Sequence, residues 1–108
     1  MIFDPDCRLG YHISFLDILR VVDPIFESIL GHQAYVYSAN DREHSKGSLH
    51  YKSRAWDFRN FMNNDPKSER HPKIVREKVT EALIRELGPD FDVLEKETHW
   101  HVEYDPKK

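Results

Sequence analysis

Cysteine is almost missing from this chain: Cys7 is the single one, so no internal disulfide can staple the fold. A surplus of positive charge is missing too, since sixteen basic against nineteen acidic residues leave a formal net charge of −3. Without a basic field there is little counterion release to gain from a phosphate backbone, and a nucleic-acid partner is not expected. No apolar run approaches the roughly 20 residues that a membrane-spanning helix requires. The first residues, Met1-Ile2-Phe3-Asp4-Pro5-Asp6, do not follow the basic then apolar order of a signal peptide. Internal repeats and low-complexity segments are also absent. These absences argue against a disulfide scaffold, a nucleic-acid binder and a membrane span, and the expectation is a soluble monomer made in a reducing cytoplasm.

What is present is a globular composition. At 108 residues, 39% hydrophobic and 32% charged, the expectation is one domain with a small core, burying roughly two-thirds of its unfolded surface. Seven histidines are a further excess, and three of them, His50, His99 and His101, lie in two short stretches.

Apolar spacing predicts a helix from Ser14, with Phe15, Ile18, Leu19 and Val22 on one face. Ser14 and Asp17 are spaced as a capping box with Asp in the Glu position, and Ile13 is placed to staple the entry. At Pro24 the helix is expected either to kink or to stop and restart with Asp23 as N-cap. Ile25, Phe26, Ile29 and Leu30 continue the face to Gly31, a C-terminal stop. Residues 33 to 38 read as a strand, 39 to 49 as a polar loop, and 54 to 58 as a second strand with Ala55 and Asp57 on one face and Trp56 and Phe58 on the other. Residues 59 to 71 read as an exposed loop forming a lip of the site. The clearest helix begins at His71-Pro72, with Pro72 at N1 and Val75, Val79, Ala82, Leu83 and Leu87 on one stripe, and closes at Gly88-Pro89. Residues 91 to 94 and 98 to 104 read as two short strands or one interrupted strand. The class expected is α+β, a small antiparallel sheet with flanking helices.

The chemistry concentrates in Ser48-Leu49-His50-Tyr51-Lys52-Ser53-Arg54-Ala55-Trp56-Asp57 and His99-Trp100-His101. Catalytic zinc takes three protein ligands drawn from His nitrogen, carboxylate oxygen and thiolate, and leaves the fourth position to water; His50, Asp57 and His101 are such a set. Two-residue spacing on a strand places His99 and His101 on one face. On residue types alone, His50 and Asp57 serve equally well as a hydrogen-bonded structural pair. His12, His32, His44 and His71 read as surface or capping residues, Tyr35, Tyr37, Trp56 and Phe58 as core, and Tyr51 and Trp100 as cleft lining.

The first stretch resembles the S-x-H-x-x-G-x-A-x-D motif of the zinc D-alanyl-D-alanine carboxypeptidases and L-alanyl-D-glutamate endopeptidases, many of them bacteriophage lysins. Ser48, His50, Ala55 and Asp57 match it, and Ser53 stands where the motif has Gly. The closing H-x-H of that family is similar to His99-Trp100-His101, and the resemblance runs from about Tyr35 to Tyr104. It implies the Hedgehog/DD-peptidase fold, zinc held by His50, Asp57 and His101, and hydrolysis of peptidoglycan stem peptides after release of the protein to the bacterial wall. It further implies His99 as oxyanion stabiliser, with Arg42 or Arg54, and Ser48, toward the substrate. Thr98 occupies the position three before the ligand, where several of the peptidases carry their general base. Glu95, at the offset used by the Hedgehog signalling domain, or Glu97 is therefore the expected base, with Glu95 preferred. The same resemblance leaves a second class open, a Hedgehog-like module whose zinc stabilises a binding surface without hydrolysis.

Overall fold

The computed structural model describes residues 1–5, 14–38 and 55–106. The first apolar stripe forms helix α1 (Phe15–Leu30), which buries Ile18, Val22 and Phe26. It runs on through Pro24. The missing N–H there removes one intrahelical bond, but both halves bury apolar side chains, and that tertiary contact holds the helix together. Asp23 is accordingly no N-cap: its Oδ1 accepts the backbone N–H of Ala34 at 2.9 Å, fastening the helix to the chain that enters β2 (Tyr35–Ser38). Nor does the capping box form. Ser14 is itself in a helical conformation and gives the helix no side-chain cap, while Asp17 accepts from Arg20 at 2.8 Å. Gly31 ends α1 at φ 80°, its N–H directed at the carbonyls of Phe26 and Glu27, a left-handed cap that any Cβ would strain.

Helix α2 (Lys73–Leu87) starts one residue later than expected, with Pro72 as the flanking cap, and buries Val79, Ala82, Leu83 and also Arg76. The remaining strands are β1 (Ile2–Phe3), β3 (Ala55–Arg59), β4 (Phe91–Glu95) and β5 (His99–Tyr104), giving one sheet in the order β1-β2-β3-β5-β4. The α+β class is as expected. The sheet is not wholly antiparallel, however: β1 adds to β2 in parallel, with Ile2 opposite Tyr35, as an edge strand that the sequence pattern does not announce.

Strand alternation divides this sheet between two tasks. In the β3–β5 ladder Trp56 pairs with Val102 and Phe58 with Trp100. These four side chains are buried together with Ile18, Val22 and Phe26 of α1 and Val79 and Leu83 of α2. Both helices therefore cover the same face. Trp100, read from sequence as cleft lining, belongs to this core: it is 0% exposed and its indole N–H donates to Thr80 Oγ1 at 3.0 Å. The alternate residues, Asp57 and Arg59 on β3 and His99, His101 and Glu103 on β5, take the opposite face.

The connection from β3 to α2 is more anchored than an exposed loop. Asn60 is fully buried and donates from Nδ2 to the carbonyls of Lys96 and Glu97 at 3.3 and 3.2 Å. Phe61 bridges to Arg70, and the intervening 3₁₀ turn (Met62–Asn64) holds Asn63 and Asn64 at φ 55° and 60°, a left-handed conformation that asparagine tolerates. Among the described residues no helix is long and apolar enough to cross a membrane.

Candidate metal centre

Asp57 and His101 are direct partners across the β3–β5 ladder, and Arg59 is the partner of His99. This register aligns four polar side chains on the face away from the helices, with Glu103 extending the row along β5. His101 Nδ1 lies 2.7 Å from Asp57 Oδ1, and its Nε2 lies 2.8 Å from Glu103 Oε1. His99 directs Nε2 toward the same Asp57 oxygen at 3.6 Å, while its Nδ1 is 3.1 Å from Thr98 Oγ1. Tyr37 meets the His99 ring edge to face, with centroids 5.5 Å apart.

Burial works against a charge on His101, but the hydrogen bonds and fields of Asp57 and Glu103 outweigh it and raise its pKa above the ordinary imidazole value. A carboxylate on each ring nitrogen suits the doubly donating imidazolium; with Nδ1 free of its proton, the Glu103 contact on Nε2 is of the kind that fixes the ring of a metal-binding histidine.

Of the residues singled out from sequence, Asp57, His99 and His101 are brought together. His50, Ser48, Arg42 and Arg54 lie outside the described residues. Glu95 is not where a base beside these histidines would have to be. It pairs in register with Trp100, so its side chain turns to the helix face, where Oε2 lies 3.3 Å from Arg76 Nε and Oε1 lies 3.5 Å from Thr80 Oγ1. The reason is parity: Glu95 and His101 stand one register step apart, and neighbouring steps of a sheet face opposite ways. Glu97 is exposed in the turn between β4 and β5, where its carbonyl accepts from Asn60 and, at 2.6 Å, from Arg70 Nη1.

Three residues of this face escaped the sequence reading. Glu103 and Arg59 were legible as the i+2 neighbours of His101 and Asp57. Tyr37, assigned to the core, carried no such signal, because a register shift between Val36 and Ser38 interrupts the β2 ladder where it sits. Asp92, Glu103 and Asp105 also bring carboxylate oxygens within 4.8 Å of one another. That grouping is all oxygen and only partly buried, a pattern common without any ion.

A second histidine pair ties the helices. His32, just past Gly31, and His71, just before Pro72, approach Nε2 to Nε2 at 2.8 Å with stacked rings. His32 Nδ1 lies 2.8 Å from the Gln33 carbonyl, which can only accept. In the neutral pair His32 therefore keeps its proton on Nδ1, and His71 Nε2–H donates to His32 Nε2. Desolvation first, then His32 and Arg76, lower the pKa of His71. A histidine whose folded pKa lies below its unfolded value contributes stability that is complete above pH ~6.5 and is lost as pH falls toward the folded value. His101, whose pKa is raised, acts in the opposite sense over the same range, so the readout is a difference: between pH 7.5 and 5.5 the urea midpoint of metal-free protein is expected to change less favourably than that of His71→Gln. Equal changes in the two proteins would show that His71 does not contribute.

No protein-family model, no curated protein and no solved structure matches this chain.

Proposed function

We propose that the chain is a zinc-dependent peptidase acting on the stem peptides of bacterial peptidoglycan, with His50, Asp57 and His101 as metal ligands. The observation that carries this reading is the cross-strand contact of His101 Nδ1 with Asp57 Oδ1, backed by Glu103 on His101 Nε2. The donor set suits zinc. Imidazole nitrogen and carboxylate oxygen are donors that zinc takes, and His101 and Asp57 bring one of each together across the ladder. The 2.7 Å contact of His101 is a hydrogen bond that ligation would replace.

Bound there, zinc supplies a Lewis acid for the scissile carbonyl and an activated water. The chain's own residues do the rest. Glu103 takes the Nε2–H of His101 and fixes the ring. His99 donates to the oxygen on which negative charge develops. With Glu95 turned to the helices, Glu97 is the carboxylate of the two that would be left to accept a proton from water and return it to the leaving amine.

Purified protein incubated with defined peptidoglycan fragments is expected to give products, identified by mass spectrometry, that appear with zinc and vanish with chelator. Glu97→Gln should lower turnover by roughly 100-fold or more, whereas Glu95→Gln should spare turnover and lower stability through loss of the Arg76 pair. If no wall fragment yields a zinc-dependent product, the peptidase reading fails.

One distance favours a second reading. His99 is near enough to Asp57 to serve as a fourth ligand, which would close the site and make the zinc purely stabilising, as in a Hedgehog-like module. X-ray absorption on zinc-loaded protein separates the two: three protein ligands and a water in the peptidase, four protein ligands in the binding module.

A further inference from the structure

The histidine pair that joins the helix ends takes no part in the centre proposed on the sheet face. We propose that His32 and His71 form a second metal site, in which their two Nε2 atoms occupy neighbouring positions on one copper(II) or nickel(II) ion and clamp the end of α1 to the start of α2.

The two donors already converge, with Nε2 of His32 and Nε2 of His71 2.8 Å apart. Two nitrogens bound about 2.0 Å from an ion and at right angles around it lie roughly 2.8 Å apart, which is one edge of the square-planar or tetragonal geometry of copper(II) and nickel(II). Tetrahedral zinc asks for roughly 3.3 Å between the same atoms, so the spacing favours a different ion from the one proposed for the sheet. Ligation changes direction rather than distance: the nitrogens now meet across a proton and turn instead to a common point.

The protonation of the rings suits a cation. His32 Nδ1–H is spent on the Gln33 carbonyl at 2.8 Å, and Asn64 Nδ2 donates to that same carbonyl at 2.9 Å, which holds it in place. A histidine fixed through Nδ1 by a backbone carbonyl presents a bare Nε2, the arrangement that orients metal-ligating histidines. His71 has one proton to move, from Nε2 to Nδ1, and becomes a ligand with no net loss of a proton. Burial keeps its ring neutral, so protons compete little with a metal near pH 7.

The surroundings set the class of ion. Among the described residues no carboxylate or thiolate completes a ligand group with the pair. Calcium and magnesium, which take oxygen, are therefore poorly served, whereas imidazole nitrogen suits copper and nickel. Arg76, whose charge acts on His71, is itself engaged: Nη1 donates to the His71 carbonyl at 2.8 Å and Nε lies 3.3 Å from Glu95 Oε2. His32 is partly exposed, so water can fill the remaining positions. The two histidines stand 39 residues apart in the chain, and an ion held between them exists as a site only in the folded state, so its binding adds to stability.

The test adds copper(II) in small steps to metal-free protein and follows the histidine ring protons by NMR, the metal by electron paramagnetic resonance, and stability by thermal melts. Less than one equivalent is expected to broaden the ring signals of His32 and His71 and to give a tetragonal spectrum with nitrogen coupling. The melting temperature should rise, and should rise also in Asp57→Ala, which lacks the centre on the sheet face. His32→Gln and His71→Gln should each weaken copper binding at this site by more than the 10- to 100-fold typical of losing an outer partner. The ring signals of the unaltered protein carry the test even where a variant folds poorly. Copper that leaves the His32 and His71 signals sharp, or that binds with equal affinity after both substitutions, overturns the site and leaves the pair a hydrogen bond between helix ends.

Discussion

Asp57→Ala is expected to abolish zinc-dependent hydrolysis and to weaken zinc binding by more than the 10- to 100-fold typical of losing an outer-shell partner, because the carboxylate is itself a ligand in the proposed site. The effect on the metal-free protein is separate. Asp57 is 8% exposed and holds His101 Nδ1 at 2.7 Å, so its removal leaves a buried ring nitrogen without that acceptor, at a cost of about 1–3 kcal/mol. Asp57→Asn distinguishes the two effects: the amide keeps the size and an oxygen acceptor, so metal-free stability should largely survive while zinc affinity does not. The measurements are zinc titration against a competing chelator and thermal melts with and without zinc. Zinc raises the melting temperature only through affinity for the folded state, so the rise should disappear in both variants. An unchanged zinc affinity in Asp57→Ala would remove Asp57 from the ligand set and with it the centre as described. The metal-free melts carry a second readout. Asp57 is a main source of the raised His101 pKa. A group whose folded pKa is raised contributes stability that is complete below pH ~6.5 and is lost as pH rises through the folded value. The deficit of Asp57→Ala should therefore be larger at pH 5.5 than at pH 8.5.

Trp100→Ala is expected to cost about 3–5 kcal/mol, which can be most of the roughly 5–15 kcal/mol that holds a small domain together. Trp100 is fully buried, meets Phe26 edge to face with centroids 5.2 Å apart, and donates its indole N–H to Thr80. Truncation opens a cavity where β5 packs against α1 and α2. Thr80 itself remains satisfied, because its hydroxyl also donates to the Arg76 carbonyl at 2.9 Å, so the loss comes from packing. Trp100→Phe should recover most of it, retaining the ring contact with Phe26 and giving up the hydrogen bond and part of the volume. Urea denaturation followed by far-UV circular dichroism measures both, since fluorescence would itself be altered. The consequence reaches the opposite face: His99 and His101 are its two neighbours on the strand, and a loosened β5 should also weaken zinc binding. A cost below about 1 kcal/mol, the range of ordinary surface substitutions, would mean that Trp100 is not the core residue described.

Much of the fold was legible one strand or helix at a time. Period-two alternation in Ala55-Trp56-Asp57-Phe58 and 3.6-residue periodicity in α1 and α2 reflect geometry that each segment imposes on its own side chains. The misreadings came where a long-range partner took over. Asp23 has the composition of a cap and spends its carboxylate on Ala34 instead. Trp100 lies between two site histidines and so invites assignment to the cleft, yet it fills the core because His99 and His101 already occupy the other face. Ile2 and Phe3 are too short a segment to signal a strand, and only β2 makes them one.

The sequence by itself determined the residue types able to bind a metal, their order along the chain, and which of them could share a strand face, because those follow from composition and from backbone period. The tertiary structure decided the rest by register. Setting Asp57 opposite His101 and Arg59 opposite His99 gathers the site on one face of the sheet, while setting Glu95 opposite Trp100 sends that carboxylate to the helices and Arg76. A shift of one residue in either pairing would reverse these assignments without changing a letter of the sequence, since side chains alternate faces at every residue and register is fixed only when strands and helices bury their apolar faces together.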